Sequence, residues 1–247
     1  MSTTVRRVHL FSVNIDALTM DETVQRIMDL VAEGESVQHV VLNASKVVMM
    51  SKDEQLRKVI AACPIVNADG QSVVVASRLL RRRLPERVAG IDLFLELVAR
   101  SAVDGRSVYF LGARDEVLEE MIRRFLQQFP GLRIAGSRNG YWDDDAAIVE
   151  QVRAAAPDLV FLAIPSPRKE FWLAKHLPEM GVPFAMGVGG SFDVVAGKVK
   201  RAPVWVQRIG CEWVYRLVQE PRRMWKRYLV GNTTFVWLTV KEWWSTR

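Results

Sequence analysis

Short, mostly apolar β-branched runs recur at residues 37–43, 65–69, 107–112, 159–164 and 184–188. Between them lie longer segments, 46–63, 91–103, 116–129, 144–155 and 169–178, whose apolar residues fall three and four apart. A run of this kind suits a strand buried on both faces, and helical spacing beside it supplies the cover. Strand, crossover helix and strand, repeated, pack as a mostly parallel, doubly wound α/β sheet with helices on both faces. Gly105 before one run, Pro130-Gly131 after one helical segment and Pro157-Asp158 before another run mark the boundaries.

The alternation stops near Pro203. Residues 204–247 hold six of the chain's eight tryptophans, and from Lys200 onward there are ten Lys/Arg against three Glu. Indole rings prefer the boundary between apolar and wet phases, and basic side chains can bury their stems beside anionic headgroups. The plainer alternative is a helical core of tryptophans with a solvated charged face. Interleaving of aromatic and basic residues favours the interfacial reading. The expected organisation is a catalytic domain at 1–203 and a basic, Trp-rich helical appendage at 204–247, its two helical segments separated at Glu220-Pro221. The uncharged stretch 228–240 falls short of the ~20 residues of a spanning helix, so attachment is expected to be peripheral. Asn14 and Asp16 interrupt the apolar run after Arg6-Arg7, which argues against a signal peptide and for the cytoplasmic face of the membrane.

A net charge of +6 favours a polyanionic partner: nucleic acid, anionic lipid or a diphosphate. Cys63 and Cys211 lack ligand spacing and read as buried thiols in a reducing compartment. His9, His39 and His176 are scattered and expected to ligate nothing. Asp143-Asp144-Asp145 stands just before a helix, where capping is favoured over a hard cation. Arg81-Arg82-Arg83 reads as a solvated helix end.

Ligands of an open parallel sheet bind beyond the carboxyl ends of its strands. Those ends carry Asn43, Asp69-Gly70, Gly112, Pro165-Ser166 and Gly187 through Ser191. Small residues let a ligand approach the backbone and leave few side chains for chemistry. Asp69 is the outstanding acid. Partial desolvation would raise its pKa and suit it to general-base work; equally, it could cap the helix beginning near Gln71. Gly187, Gly189, Gly190 and Ser191 between strand and helix could turn amides toward an anion, or simply make a tight turn. Arg87 stands beside Gly90 and Asp92, and could pair with Asp92 or hold a diphosphate.

The segments Leu42-Asn43-Ala44-Ser45-Lys46-Val47-Val48, Asn67-Ala68-Asp69-Gly70, Arg87-Val88-Ala89-Gly90-Ile91-Asp92, Val108-Tyr109-Phe110-Leu111-Gly112, Asn139-Gly140-Tyr141-Trp142, Ser166-Pro167-Arg168-Lys169-Glu170 and the stretch from Gly187 to Pro203 occur in order. As a set they resemble the WecG/TagA/CpsF glycosyltransferases, glycosyltransferase family 26. The resemblance implies a Rossmann-like core and inverting, metal-independent transfer from a UDP-sugar to a polyprenyl-diphosphate-linked saccharide of the cell envelope. It further implies a basic C-terminal appendage that reaches an anionic membrane surface and closes the site. By the same resemblance Asp69 is the catalytic base and Arg87 lies in the pocket. Gly187, Gly189, Gly190 and Ser191 form the nucleotide loop, and Arg216, Arg223 and Lys226 face the diphosphate. Asn43, Gly112 and Lys169 complete the expected substrate contacts.

Two positions depart from the pattern. Val41 replaces a threonine before Asn43, and Lys169 replaces a glutamine whose amide both donates and accepts. N-acetylmannosamine is common in the family, with glucose or a uronic acid credible here. Competing readings are a nicotinamide-dependent oxidoreductase, opposed by the missing dinucleotide fingerprint, a nucleic-acid-binding module, and a non-catalytic membrane adaptor. No nucleic acid partner is expected, and the apolar appendage could pair two copies. Truncation after Pro203 is expected to leave a folded core lacking vesicle binding and most transfer.

Overall fold

The structure, a computed structural model, describes residues 5–208, 212–219 and 221–245. The side chains at 208, 216, 221–224 and 226–230 lie outside that description. The chain opens with an antiparallel hairpin, β1 (Arg7–Leu10) and β2 (Val13–Asp16), absent from the sequence reading. Its turn is made by Phe11 and Ser12 at φ 53° and 63°, so the Gly or Asn that normally announces such a turn is missing. Next come α1 (Met20–Glu33), β3 (Val37–Leu42), α2 (Ala44–Met50), α3 (Glu54–Ala62), β4 (Ile65–Ala68), α4 (Gln71–Leu79) and α5 (Gly90–Asp104). The single helix expected over 46–63 is two, because Asp53 turns out of helical geometry and its carboxylate caps α3 at the Leu56 amide, 3.0 Å away. The chain continues through β5 (Ser107–Gly112), α6 (Asp115–Gln128), β6 (Arg133–Arg138), α7 (Asp145–Ala155), β7 (Leu159–Ala163), α8 (Arg168–Met180), β8 (Phe184–Gly187) and α9 (Ser191–Val195). It ends in α10 (Val204–Arg208), α11 (Glu212–Gln219) and α12 (Pro221–Ser245).

All five expected strands lie in one parallel sheet of order β4-β3-β8-β7-β5-β6. The unexpected member, β6, is an edge strand of polar, partly exposed residues, so no apolar run marks it. Alternation along the strands builds core on both faces of the sheet, in three clusters, one of them under α2, α4 and the hairpin. Val108 and Phe110 face α1, α5 and α6, where Phe94 meets Phe110, Phe125 and Phe161 edge-on at 4.7–6.3 Å. Tyr109 and Leu111 face the opposite side, under α7 and α8. Asp144 caps α7 at Ala146 and Ala147, as its position before a helix implies. Cys63 is buried and burial pushes its thiol up to about 12; Cys211 lies outside the described residues.

The far half of α12 packs on α2 and the hairpin. Phe235 is buried in that core with its ring 5.4 Å from Phe11, and Leu238 and Trp243 pack alongside. Glu242 accepts from the Phe11 amide at 2.8 Å. Arg82 is a tie, not the solvated helix end its sequence suggests: it donates to His9 O at 2.7 Å and Glu242 at 3.1 Å. Removing residues after Pro203 would therefore also uncover Phe11. The outer side of α12 exposes Val236, Trp237, Val240 and Trp244. Among the described residues no helix is long and apolar enough to cross a membrane.

Candidate active site

From β5 the chain leaves toward β6, and from β7 it leaves in the other direction toward β8, so a crevice opens between the carboxyl ends of β5 and β7. Gly112 stands at its lip with φ 119°, and a Cβ there would lie 2.6 Å from Ala163 O. Only glycine fits, and the lip is bare backbone.

Beside it, the turn after β8 rests on Lys169. This side chain is buried beneath Gly187, where a Cβ would fall 2.7 Å from the lysine Cδ. Its Nζ donates to Gly187 O at 3.0 Å. Gly189, at φ 56°, follows, and Gly190 precedes α9. Ser191 is turned inward, its hydroxyl donating to Val188 O at 2.8 Å, so it stiffens the turn. Behind Lys169, Glu170 accepts from Lys46 Nζ at 2.8 Å and from the Ser166 hydroxyl at 2.9 Å, with Lys169 Nζ 4.0 Å away. Burial pushes the Glu170 carboxyl up, but the two lysines and these hydrogen bonds outweigh it and hold it below its ordinary range. Two buried cations against one carboxylate leave a net positive charge under the glycine turn. The same cations help keep buried His39 neutral. Desolvation lowers its pKa to about 4, against an Asn67 hydrogen bond at 3.0 Å that favours the proton, with Lys46 and Lys169 adding to the depression.

The other end of the site lies beyond β3 and β4. Asn43 caps α2, its Oδ1 accepting from the Lys46 amide at 3.0 Å, and a Cβ on Gly70 would stand 3.3 Å from Asn43 Cβ. Asp69 is half-buried. It does not cap the helix that follows it, since Gly70 takes that position without a side-chain bond. Instead Oδ1 accepts from Gly90 N at 3.1 Å, which seats the carboxylate at the positive end of α5. Its Oδ2 accepts no hydrogen bond among the described residues, which suits a group that must take a proton.

Arg87 lies on the segment next to β4, where Val88 N bonds Ala68 O at 2.9 Å. It does not pair with Asp92. Its Nη1 meets Glu212 of α11 at 2.8 Å, while Asp92 is taken in bidentate fashion by Arg201 at 2.5 and 2.7 Å. Burial works against the Arg201 charge, but Asp92, Glu212 and Asp69 outweigh it and raise the pKa. Asp69, Arg87 and Asn43 thus share one end of the sheet edge, and Gly112, Lys169 and the glycine turn share the other. Arg216, Arg223 and Lys226 are on α11 and α12, but their side chains lie outside the description. Lys46, Glu170, Asp92, Arg201 and Glu212 were not singled out as site residues from the sequence, apart from the reading of Asp92 as cap or partner. Their pairings join positions as far as 125 residues apart, beyond any local pattern.

The sequence pattern of the Glycosyl transferase WecG/TagA/CpsF family matches residues 8–247. A protein of Bacillus spizizenii, an N-acetylglucosaminyldiphosphoundecaprenol N-acetyl-beta-D-mannosaminyltransferase, is 39% identical over 171 residues, covering 69% of this chain and 66% of its own length. One of the same description from Bacillus subtilis is 36% identical over 178 residues, covering 72% of this chain and 69% of its own. The matched part is thus about two thirds of those relatives. A match along nearly all of the chain, over a six-stranded parallel sheet whose one prominent carboxylate stands at a strand end, places this protein in the WecG/TagA/CpsF family of glycosyl transferases.

Proposed function

We propose that the protein moves an N-acetylmannosamine-type sugar from UDP to a saccharide carried on a polyprenyl diphosphate, with inversion to a β-linkage. The observation that carries this reading is Asp69, held by Gly90 N at the mouth of the sheet with its second oxygen unengaged among the described residues. A sugar hydroxyl is a weak nucleophile. As its oxygen attacks the anomeric carbon, Asp69 takes the hydroxyl proton, the bond from that carbon to the diphosphate oxygen breaks, and UDP leaves with the electron pair. Attack from the face opposite UDP inverts the centre.

The departing charge has to be met by groups already in place. Arg87, the amides of the glycine turn and the positive field of Lys46 and Lys169 beneath it supply that without a metal. Lys169 acts from behind the turn, through Gly187 O, where a glutamine would present an amide.

The acceptor is a lipid, and the exposed Trp205, Trp213, Trp225, Trp237 and Trp244 suit a headgroup boundary, so the reading includes peripheral binding on the cytoplasmic leaflet. Arg216, Arg223 and Lys226 belong to the same segment of the sequence, with their side chains outside the described residues. The test is transfer from a panel of UDP-sugars to N-acetylglucosaminyl-diphosphoundecaprenol in vesicles, with the product's anomeric configuration read by NMR. A β-linked product from UDP-N-acetylmannosamine is expected. No lipid-linked product from any UDP-sugar would reject the reading, and an α-linked one would reject inversion.

A further inference from the structure

Glu212 of α11 sits between two arginines. Its Oε2 accepts from Arg87 Nη1 at 2.8 Å, and its Oε1 is 3.7 Å from Arg201 Nε, too far for a hydrogen bond. That Nε is buried and has no hydrogen-bond partner among the described residues. An orphaned donor on a cation is costly, and here it points to an acceptor that the carboxylate only partly replaces. The other two nitrogens of Arg201 are fixed on Asp92 in the first turn of α5, and the first amide of that helix holds Asp69. One helix start therefore positions both the carboxylate base and this guanidinium.

We propose that Arg201 is a second phosphate-binding arginine of the site, and that the Glu212 carboxylate holds the phosphate's place until a diphosphate displaces it. The proposal rests on reading Arg87 as a diphosphate contact. A diphosphate diester presents four non-bridging oxygens on two tetrahedral centres, so it can accept from Arg87 Nη1 and Arg201 Nε together, where the Glu212 carboxylate bonds only Arg87. Charge argues the same way. Asp69, Asp92 and Glu212 against Arg87 and Arg201 sum to one negative charge, which repels an anion; with Glu212 withdrawn the sum is zero and both guanidinium edges are open. Because Glu212 begins α11, binding of the diphosphate and release of this end of the C-terminal segment are one event. Asp92 is a positioning residue, aiming Arg201 through its bidentate grip.

Calorimetric titration of the full chain with UDP and, separately, with farnesyl diphosphate tests this and tells a donor diphosphate from a lipid one. Glu212→Gln keeps the side chain's shape and removes its charge. It is expected to tighten whichever diphosphate occupies the site by on the order of fivefold. Arg201→Lys, which lacks the Nε donor, is expected to weaken the same ligand by on the order of tenfold, with circular dichroism confirming a folded chain. Unchanged or weaker binding of both ligands by Glu212→Gln overturns the proposal, whether or not Arg201→Lys folds. If Arg87→Lys weakens binding while the Glu212 and Arg201 variants match the wild type, Arg201's role falls and the reading of Arg87 stands. If the wild type binds neither diphosphate, both fall together.

Discussion

The two halves of the C-terminal segment are held to the core by different forces. The end of α12 is held chiefly by burial: Phe235 is 6% exposed and packs on Phe11, with Leu238 and Trp243 beside it and the Arg82–Glu242 pair at the rim. Near α11 the tethers are charges: Glu212 on Arg87, and Arg201 on Asp92 just before α10, with Val206 the one buried apolar side chain of α10. Apolar burial is indifferent to salt and offers an anion nothing to compete for. Partly exposed ion pairs are screened by salt and can be exchanged for a better anion. One end is therefore an anchor and the other a contact made to be traded, which is what a segment needs if it is to stay attached while the site beneath it opens.

The comparison breaks most visibly at the anchor. Phe235→Ala removes a buried ring and should lower unfolding stability by about 3 kcal/mol or somewhat more, measured by urea denaturation. A loss below about 1 kcal/mol would show that burial does not hold α12.

Acid acts next, through His39 buried in β3. His39 is neutral in the fold with a pKa near 4, against 6.5 for the free group, so the unfolded chain takes up its proton first. Stability is full above about pH 6.5 and is lost as pH falls from there toward 4, by up to roughly 3 kcal/mol. The part of the slope between about pH 6.5 and 5, above the range of the carboxyls, should vanish in His39→Gln, whatever that variant's absolute stability. An equal slope in the variant would assign the acid sensitivity elsewhere.

Salt gives the smallest effect. Raising ionic strength to about 0.5 M should speed amide exchange in α11 by a few-fold, consistent with up to ~1 kcal/mol for partly exposed ion pairs, and leave residues 235–238, around the buried Phe235, unchanged. Equal response in both regions would erase the distinction.

The sheet was legible because its central strands are mostly apolar and β-branched, with only a few buried polar residues such as Gln38, His39 and Ser107, a pattern that burial on both faces imposes. The hairpin and β6 were not, since Phe11 and Ser12 make a turn without turn residues and Arg133, Ser137 and Arg138 make an edge strand that reads as loop. α1 carries a readable signal of its own in Thr19 and Glu22, a reciprocal capping pair independent of any apolar run. In the site, Asp69 and the glycines were visible because strand ends are where such residues acquire meaning. The partner of Arg87 was not: Asp92 is near in sequence, but Glu212 is the group that reaches the guanidinium. Lys169 was visible as a charge and invisible as a buried one, because only packing under Gly187 decides which way it turns.

The account turns on proton removal by Asp69, and the most direct measurement is transfer by Asp69→Asn with UDP binding determined on the same preparation. Asparagine keeps an oxygen for Gly90 N and cannot take the proton. UDP affinity should match the wild type while transfer falls by roughly 10²-fold or more. Transfer at the wild-type rate, with UDP bound as tightly, would contradict the account.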